Sequence, residues 1–148
     1  MATTTATITL SSSDLLTDNL SLSATMNLYK GGTTATGLDE LNYHRAIIPT
    51  GTNFTLIQES AALNATGSNY VYIINKNTDA THYVIVSIRS EVIGRLYAGD
   101  WMFIPYSDAT TATAGVDDPS GDDSDIEIQA FTASNTIEYA LFHDGKHY

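Results

Sequence analysis

At 148 residues the chain has the length of one ordinary domain, with no second domain required. It has no cysteine, which excludes a disulfide framework and a thiolate metal site and leaves packing and hydrogen bonding to hold the fold. Seventeen acidic residues against six basic ones give a formal charge of −11. That balance opposes binding to a phosphate backbone, so nucleic acid is not an expected partner, and it suits a molecule kept soluble at high local density.

Residues 1–6 lack the basic start and apolar run of a secretory signal, and no later stretch approaches the ~18 apolar residues of a membrane helix. A soluble, uncleaved product with no membrane partner is expected. The sequons at Asn19, Asn53 and Asn64 then read as accidents of a Thr/Ser/Asn-rich composition.

In chain order, residues 3–10 are rich in β-branched side chains and form a first strand whose polarity marks it as an edge or an arm reaching a neighbour. Ser11, Ser12, Ser13 and Asp14 break it, and residues 13–19 suffice for one helical turn capped by Ser13 or Asp14. Leu20, Leu22, Ala24, Met26 and Leu28 then alternate with Ser21, Ser23, Thr25 and Asn27, the pattern of a half-buried strand. Lys30, Gly31 and Gly32 turn the chain. Residues 33–44 read as a loop, 45–48 as a short strand stopped by Pro49, 54–58 as a strand, and 59–68 as an exposed loop.

Residues 69–75 and 81–89, joined by 76–80, make the strongest hairpin pattern. Val71 and Ile73 oppose Tyr70, Tyr72 and Ile74, so both faces are apolar and the pair belongs inside a sheet. A second hairpin is expected from residues 92–97 and 101–104 around Ala98, Gly99 and Asp100, because glycine tolerates a positive φ and aspartate bonds to nearby amides. Pro105 ends it. Trp101, Met102, Phe103 and Ile104 leave no polar face, which places one side on the core and the other against a sheet, a loop or another subunit. After an Asp-rich loop, 107–125, come two strands, 126–131 and 136–142, and a tail.

About eight or nine short antiparallel strands, turn signals every ~8–12 residues and no long 3.6-residue period define an all-β fold class. The expectation is a single-domain β-sandwich, jelly-roll-like, over residues 1–148, with an N-terminal arm at 1–10 and a short C-terminal tail at 143–148.

Candidate sites are few. Asp117, Asp118, Asp122, Asp123 and Asp125 offer oxygen ligands of the kind Ca²⁺ takes, but their spacing departs from the EF-hand pattern. The histidines at 44, 82, 143 and 147 are too dispersed for a zinc site. No nucleophile elbow or phosphate loop occurs, so no catalytic, cofactor-binding or metal-binding residue is assigned and no enzyme activity is expected. Nine tyrosines and Trp101 fit either a sugar-stacking surface or a protein interface. Tyr29, Tyr43, Tyr97, Tyr106 and Tyr148, near loops and ends, favour the interface, where Tyr and Trp are enriched.

The run from Gly94 through Gly99, Asp100 and Trp101 to Pro105 and Tyr106, followed by strands 126–131 and 136–142, resembles small virion structural proteins of tailed bacteriophages, particularly those of marine cyanobacterial phages. The opening at residues 8–16 is similar to that group's as well, and the Asp-rich loop departs from it as an insertion. The resemblance implies a β-hairpin near the C-terminus at residues 137–142 and a structural role in the particle. A capsid decoration (cement) protein on the virion surface is expected first, assembled in the host cytoplasm. Its partners would be the major capsid protein and further copies of itself, as in a trimer. A tail, neck or fibre component and a carbohydrate-binding β-sandwich module are the alternatives.

Overall fold

Alternation decides which side chains meet. Val71 and Ile73 point one way and Tyr70, Tyr72 and Ile74 the other, and a strand with two apolar faces is stable only when both are covered. The computed structural model describes residues 4–14, 20–38, 40–57, 69–88, 90–106 and 125–144. Among them are ten strands and no helix: β1 (Thr4–Ser12), β2 (Leu20–Leu28), β3 (Glu40–Ile48), β4 (Asn53–Ile57), β5 (Tyr70–Asn75), β6 (Tyr83–Ile88), β7 (Glu91–Tyr97), β8 (Trp101–Pro105), β9 (Ile126–Ala130) and β10 (Asn135–His143).

Eight of these form two four-stranded antiparallel sheets, ordered β3-β10-β5-β8 and β4-β9-β6-β7. The pairs β3–β10, β4–β9, β5–β8 and β6–β7 are nested, like the rungs of one long hairpin whose tip is the β6–β7 turn. Pairing of β10 with β5 and of β9 with β6 rolls that hairpin up on itself. This is the jelly roll, two sheets of alternating origin around one core. The core is dominated by β-branched residues: Ile48, Val71, Ile73, Val84, Val86, Ile126, Ile128 and Ile137 are all fully buried. Their stiff side chains suit a pleated inner face.

The fold class is the expected one, but three hairpins are not. β7 pairs with β6 and β8 with β5, so the Gly99 turn is a corner between sheets. Gly99 does take φ 86°, and Asp100 Oδ2 accepts from Tyr97 N at 2.9 Å. Asp100 N donates to Tyr97 O at 2.9 Å within the turn, and two further bonds tie the turn to β5: Gly99 N donates to Asn75 O at 2.9 Å and Asn75 N to Asp100 O at 3.0 Å. The same holds for β5 and β6, which lie in different sheets as inner strands. Residues 137–142 are the middle of one inner strand, β10, with β9 across the sandwich.

The tight turn inside the roll falls where no glycine marks it. Ile88 pairs with Glu91, and Ser90 adopts φ 61°. β3 is longer than expected, its first half held by β10 although residues 40–44 carry no clear pattern. Tyr106 is buried in the core rather than placed at an interface.

β1 and β2 stand apart as a two-stranded ribbon, nine residues a side, about 30 Å long at ~3.4 Å per residue. Its base is anchored. Leu28 and Leu38 are buried, Leu38 N donates to Leu28 O at 3.2 Å, and Lys30 pairs with Asp144 at 2.8 Å. The half-buried strand expected at 20–28 is mostly open, since its apolar side meets no third strand among the described residues.

Candidate interaction faces

The outer face of the β3-β10-β5-β8 sheet follows from register. Tyr72 lies across from Phe103 and Ala140, and Ala140 from Tyr43, so Tyr43, Ala140, Tyr72 and Phe103 form one row of outward side chains. Tyr70 stacks on Phe103 with centroids 5.7 Å apart, Phe103 meets Phe142 edge-on at 6.4 Å, and Trp101 tilts against Tyr72 at 6.2 Å. Offset and edge contacts of this kind add ~0.5–1.5 kcal/mol each beyond area burial, so the rings are held rigidly. One side of β8 meets the core as expected, and the structure shows it to be Met102 and Ile104, with Trp101 and Phe103 facing away.

Ala6, Thr7 and Ile8 of β1 approach Tyr72, Trp101 and Phe103 to form an open pocket of about 290 Å³. The base of β1 therefore borders the β5–β8 half of this face. At the other edge, β3 leaves Leu41, Tyr43 and Ile47 open, Ile47 by 70%. Between them Arg45 Nε donates to Glu138 Oε1 at 2.9 Å, with Lys76 4.0 Å from the same carboxylate. The hydrogen bond from Arg45 first, then one from Tyr43 and the charges of Arg45 and Lys76, hold the Glu138 carboxyl below its ordinary value, so the charges on this face largely neutralise one another.

The opposite sheet presents a smaller patch. Tyr83 stacks on Phe131 at 5.9 Å and tilts against Tyr97 at 5.4 Å, and the Arg95 guanidinium lies 4.9 Å over the Tyr83 ring. Phe131 and Tyr97 are exposed. At the far end of β7 a bulge between Val86 and Ser87 turns out both Val92 and Ile93. Sequence reading placed Tyr97 near a loop but missed the trio, because Tyr83 and Phe131 meet only through the β6–β9 pairing.

One end of the sandwich is tied by amides. Asn75 Nδ2 donates to Leu96 O at 3.1 Å and to Asn135 Oδ1 at 3.4 Å, while Asn77 Nδ2 donates to Asn135 Oδ1 and to His82 Nδ1 at 3.0 Å each. Accepting at Nδ1 leaves the His82 proton on Nε2, which faces Asp79 Oδ2 at 3.5 Å. Asp79 is itself held below its ordinary pKa by hydrogen bonds from Thr81 N and Oγ1. With Asn75 and Asn135 fully buried and their amides paired, the cluster is a staple between loops.

His44 lies against Tyr139 at 5.3 Å, and His143 is buried beside Asn42 at the opposite end from His82. His147 and Asp117, Asp118, Asp122 and Asp123 lie outside the described residues, as does Tyr148. Among the described residues no three His, Asp or Glu side chains converge as a metal site. Comparison with family models, with curated proteins and with solved structures gave no match, so the geometry carries the functional argument.

Proposed function

We propose that this chain is a bacteriophage virion structural protein, a capsid decoration protein that sits on the outer shell and stabilises contacts between coat subunits. One observation carries the reading: apolar and aromatic side chains stand open on both outer faces of the sandwich, in a chain of charge −11. A module built to hold a single ligand needs one such surface, whereas a cement must grip two things. Interface cores are enriched in aromatic residues and arginine, which both patches carry, and Arg45 and Lys76 on the first patch are paired with Glu138. Jelly rolls serve in viral shells but also in lectins and cupins, so the fold alone assigns nothing.

A sugar site at Trp101 is less well supported. Its pocket is lined by Ala6, Thr7, Ile8, Tyr72, Trp101 and Phe103, and the Thr7 and Tyr72 hydroxyls and the Trp101 indole N–H are few side-chain groups to orient a glycan. The reading includes no catalysis, cofactor, nucleic acid or membrane, and it locates the chain on the virion surface with the major capsid protein as partner. A tail, neck or fibre position uses the same surfaces and differs in copy number.

In this reading the Tyr83-Tyr97-Phe131 patch faces the shell. Purified particles lacking the chain, incubated with wild-type or variant protein and imaged, test it. Wild type should occupy the shell in numbers comparable with the coat protein and delay heat-induced genome release. Paired substitutions Tyr97→Ser and Phe131→Ser should weaken occupancy at least tenfold, as expected of aromatic anchors. Binding at one vertex in a few copies, or occupancy indifferent to both substitutions, refutes the decoration role.

A further inference from the structure

The β1–β2 ribbon has two chemically distinct sides. On one, Thr5 bonds Asn27 at 3.0 Å, Thr7 bonds Thr25 at 3.1 Å and Thr9 lies 3.4 Å from Ser23, a ladder of hydroxyls and an amide facing water. On the other, Leu10 lies opposite Leu22, Ile8 opposite Ala24 and Ala6 opposite Met26, and Ile8, Leu10, Leu22 and Met26 are all exposed. An isolated two-stranded hairpin is marginal in water, and although this nine-residue ribbon meets its own sheet at the pocket of Ala6 and Ile8, the exposed Ile8, Leu10, Leu22 and Met26 lack, among the described residues, the cover that would make it stable.

We infer that the apolar side of the ribbon docks on the open β3 strip, Leu41, Tyr43 and Ile47, of a second copy of this chain, each copy giving and receiving one ribbon about a two-fold axis. Three observations favour a second copy as the occupant. The two ribbon strands contain no charged residue in a chain of net charge −11, so this is a surface on which two copies approach without bringing like charges together. The acceptor strip matches it in kind and length: β3 is also nine residues, its open side chains recur every second residue, and its one cation is neutralised in place by Glu138. A copy does not fill its own strip, because its Ala6, Thr7 and Ile8 stand at Tyr72, Trp101 and Phe103, and β3 is three strand spacings from β8, about 14 Å.

Area selects the symmetry. From their fractional exposures, the four ribbon side chains and the three strip side chains leave on the order of 350 Å² open on each set. A head-to-tail contact joins one ribbon to one strip and covers about 700 Å², below the ~1,200–2,000 Å² of a stable interface. The reciprocal two-fold contact covers about 1,400 Å², within that range. The inference concerns only self-association and stands whether or not the shell is the second partner.

The chain has no cysteine, so a paired introduction reads the contact directly. The double variant Leu22→Cys, Ile47→Cys, mildly oxidised, should run as a covalent dimer, and the unmodified chain should sediment at twice its 15.9 kDa mass. Leu22→Glu alone should shift it to monomer with an unchanged circular dichroism spectrum, since Leu22 is 55% exposed within one copy. A disulfide within one chain, a monomer at tens of micromolar, or a ring larger than a dimer overturns the inference. None of these results bears on shell occupancy.

Discussion

Replacing Asn75 by alanine tests whether buried amides hold the end of the roll closed. The substitution removes a donor to Leu96 O at 3.1 Å, a longer one to Asn135 at 3.4 Å, and the acceptor of Asn77 N at 3.0 Å. Asn75 is fully buried, so water does not readily replace it. Two good hydrogen bonds at ~1 kcal/mol each and half weight for the longer one give about 2.5 kcal/mol, and the cost of leaving a buried group unpaired brings the loss to at least about 3 kcal/mol. Against a total stability of ~5–15 kcal/mol this is a large fraction. In urea, with a slope near 2 kcal/mol per molar, the midpoint should fall by about 1.5 M with the slope unchanged. Asn53→Ala, at an exposed position of β4, should stay within about 0.5 kcal/mol of wild type. A loss below about 1 kcal/mol for Asn75→Ala refutes the staple and leaves the apolar core as the whole of what joins the sheets at that end.

Two further outcomes follow from local geometry. Glu138 has its folded-state pKa lowered from the ordinary 4.5, first by the hydrogen bond from Arg45, so its contribution is present above that value and is lost as pH falls through the lowered one. The stability gap between wild type and Glu138→Gln should therefore shrink steadily in urea titrations taken from about pH 6 toward pH 3, and a gap independent of pH removes the ion pair from the account. Ser90→Gly should raise stability by ~0.5–1 kcal/mol, since a left-handed φ of 61° costs serine more than glycine's added chain entropy. A fall in the urea midpoint shows that Ser90 is not strained.

What the sequence discloses and what it withholds divide along the reach of each signal. Period-two alternation is local, and it located β5, β6, β9 and β10 within a residue or two and identified β5 and β6 as inner strands. Turn chemistry is also local, so Gly99 and Asp100 announce a reversal correctly. Whether the two arms of a reversal pair with each other is settled by distant strands, and in a jelly roll they mostly do not. β5 is claimed by β8 and β10, and β6 by β7 and β9. Among the described strands the hairpin inside the sandwich, at Ser90, has no glycine because pairing along β6 and β7 offsets an unfavourable φ.

The same reasoning explains why the interaction faces were only half legible. Alternation in β2 says that one side is apolar, and the sequence of a buried strand looks no different. Only the absence of a third strand over Leu10 and Leu22, among the described residues, turns an ordinary core pattern into an open surface. In Tyr83 and Phe131 the signal is weaker still, since neither belongs to a motif and their stacking exists only once β9 lies beside β6. An apolar side chain is assigned to core or to contact by what the rest of the fold leaves uncovered. In this roll eight strands pair into two sheets whose edges are β3, β8, β4 and β7, and the β1–β2 ribbon remains as apolar surface that the described residues of a single copy do not cover.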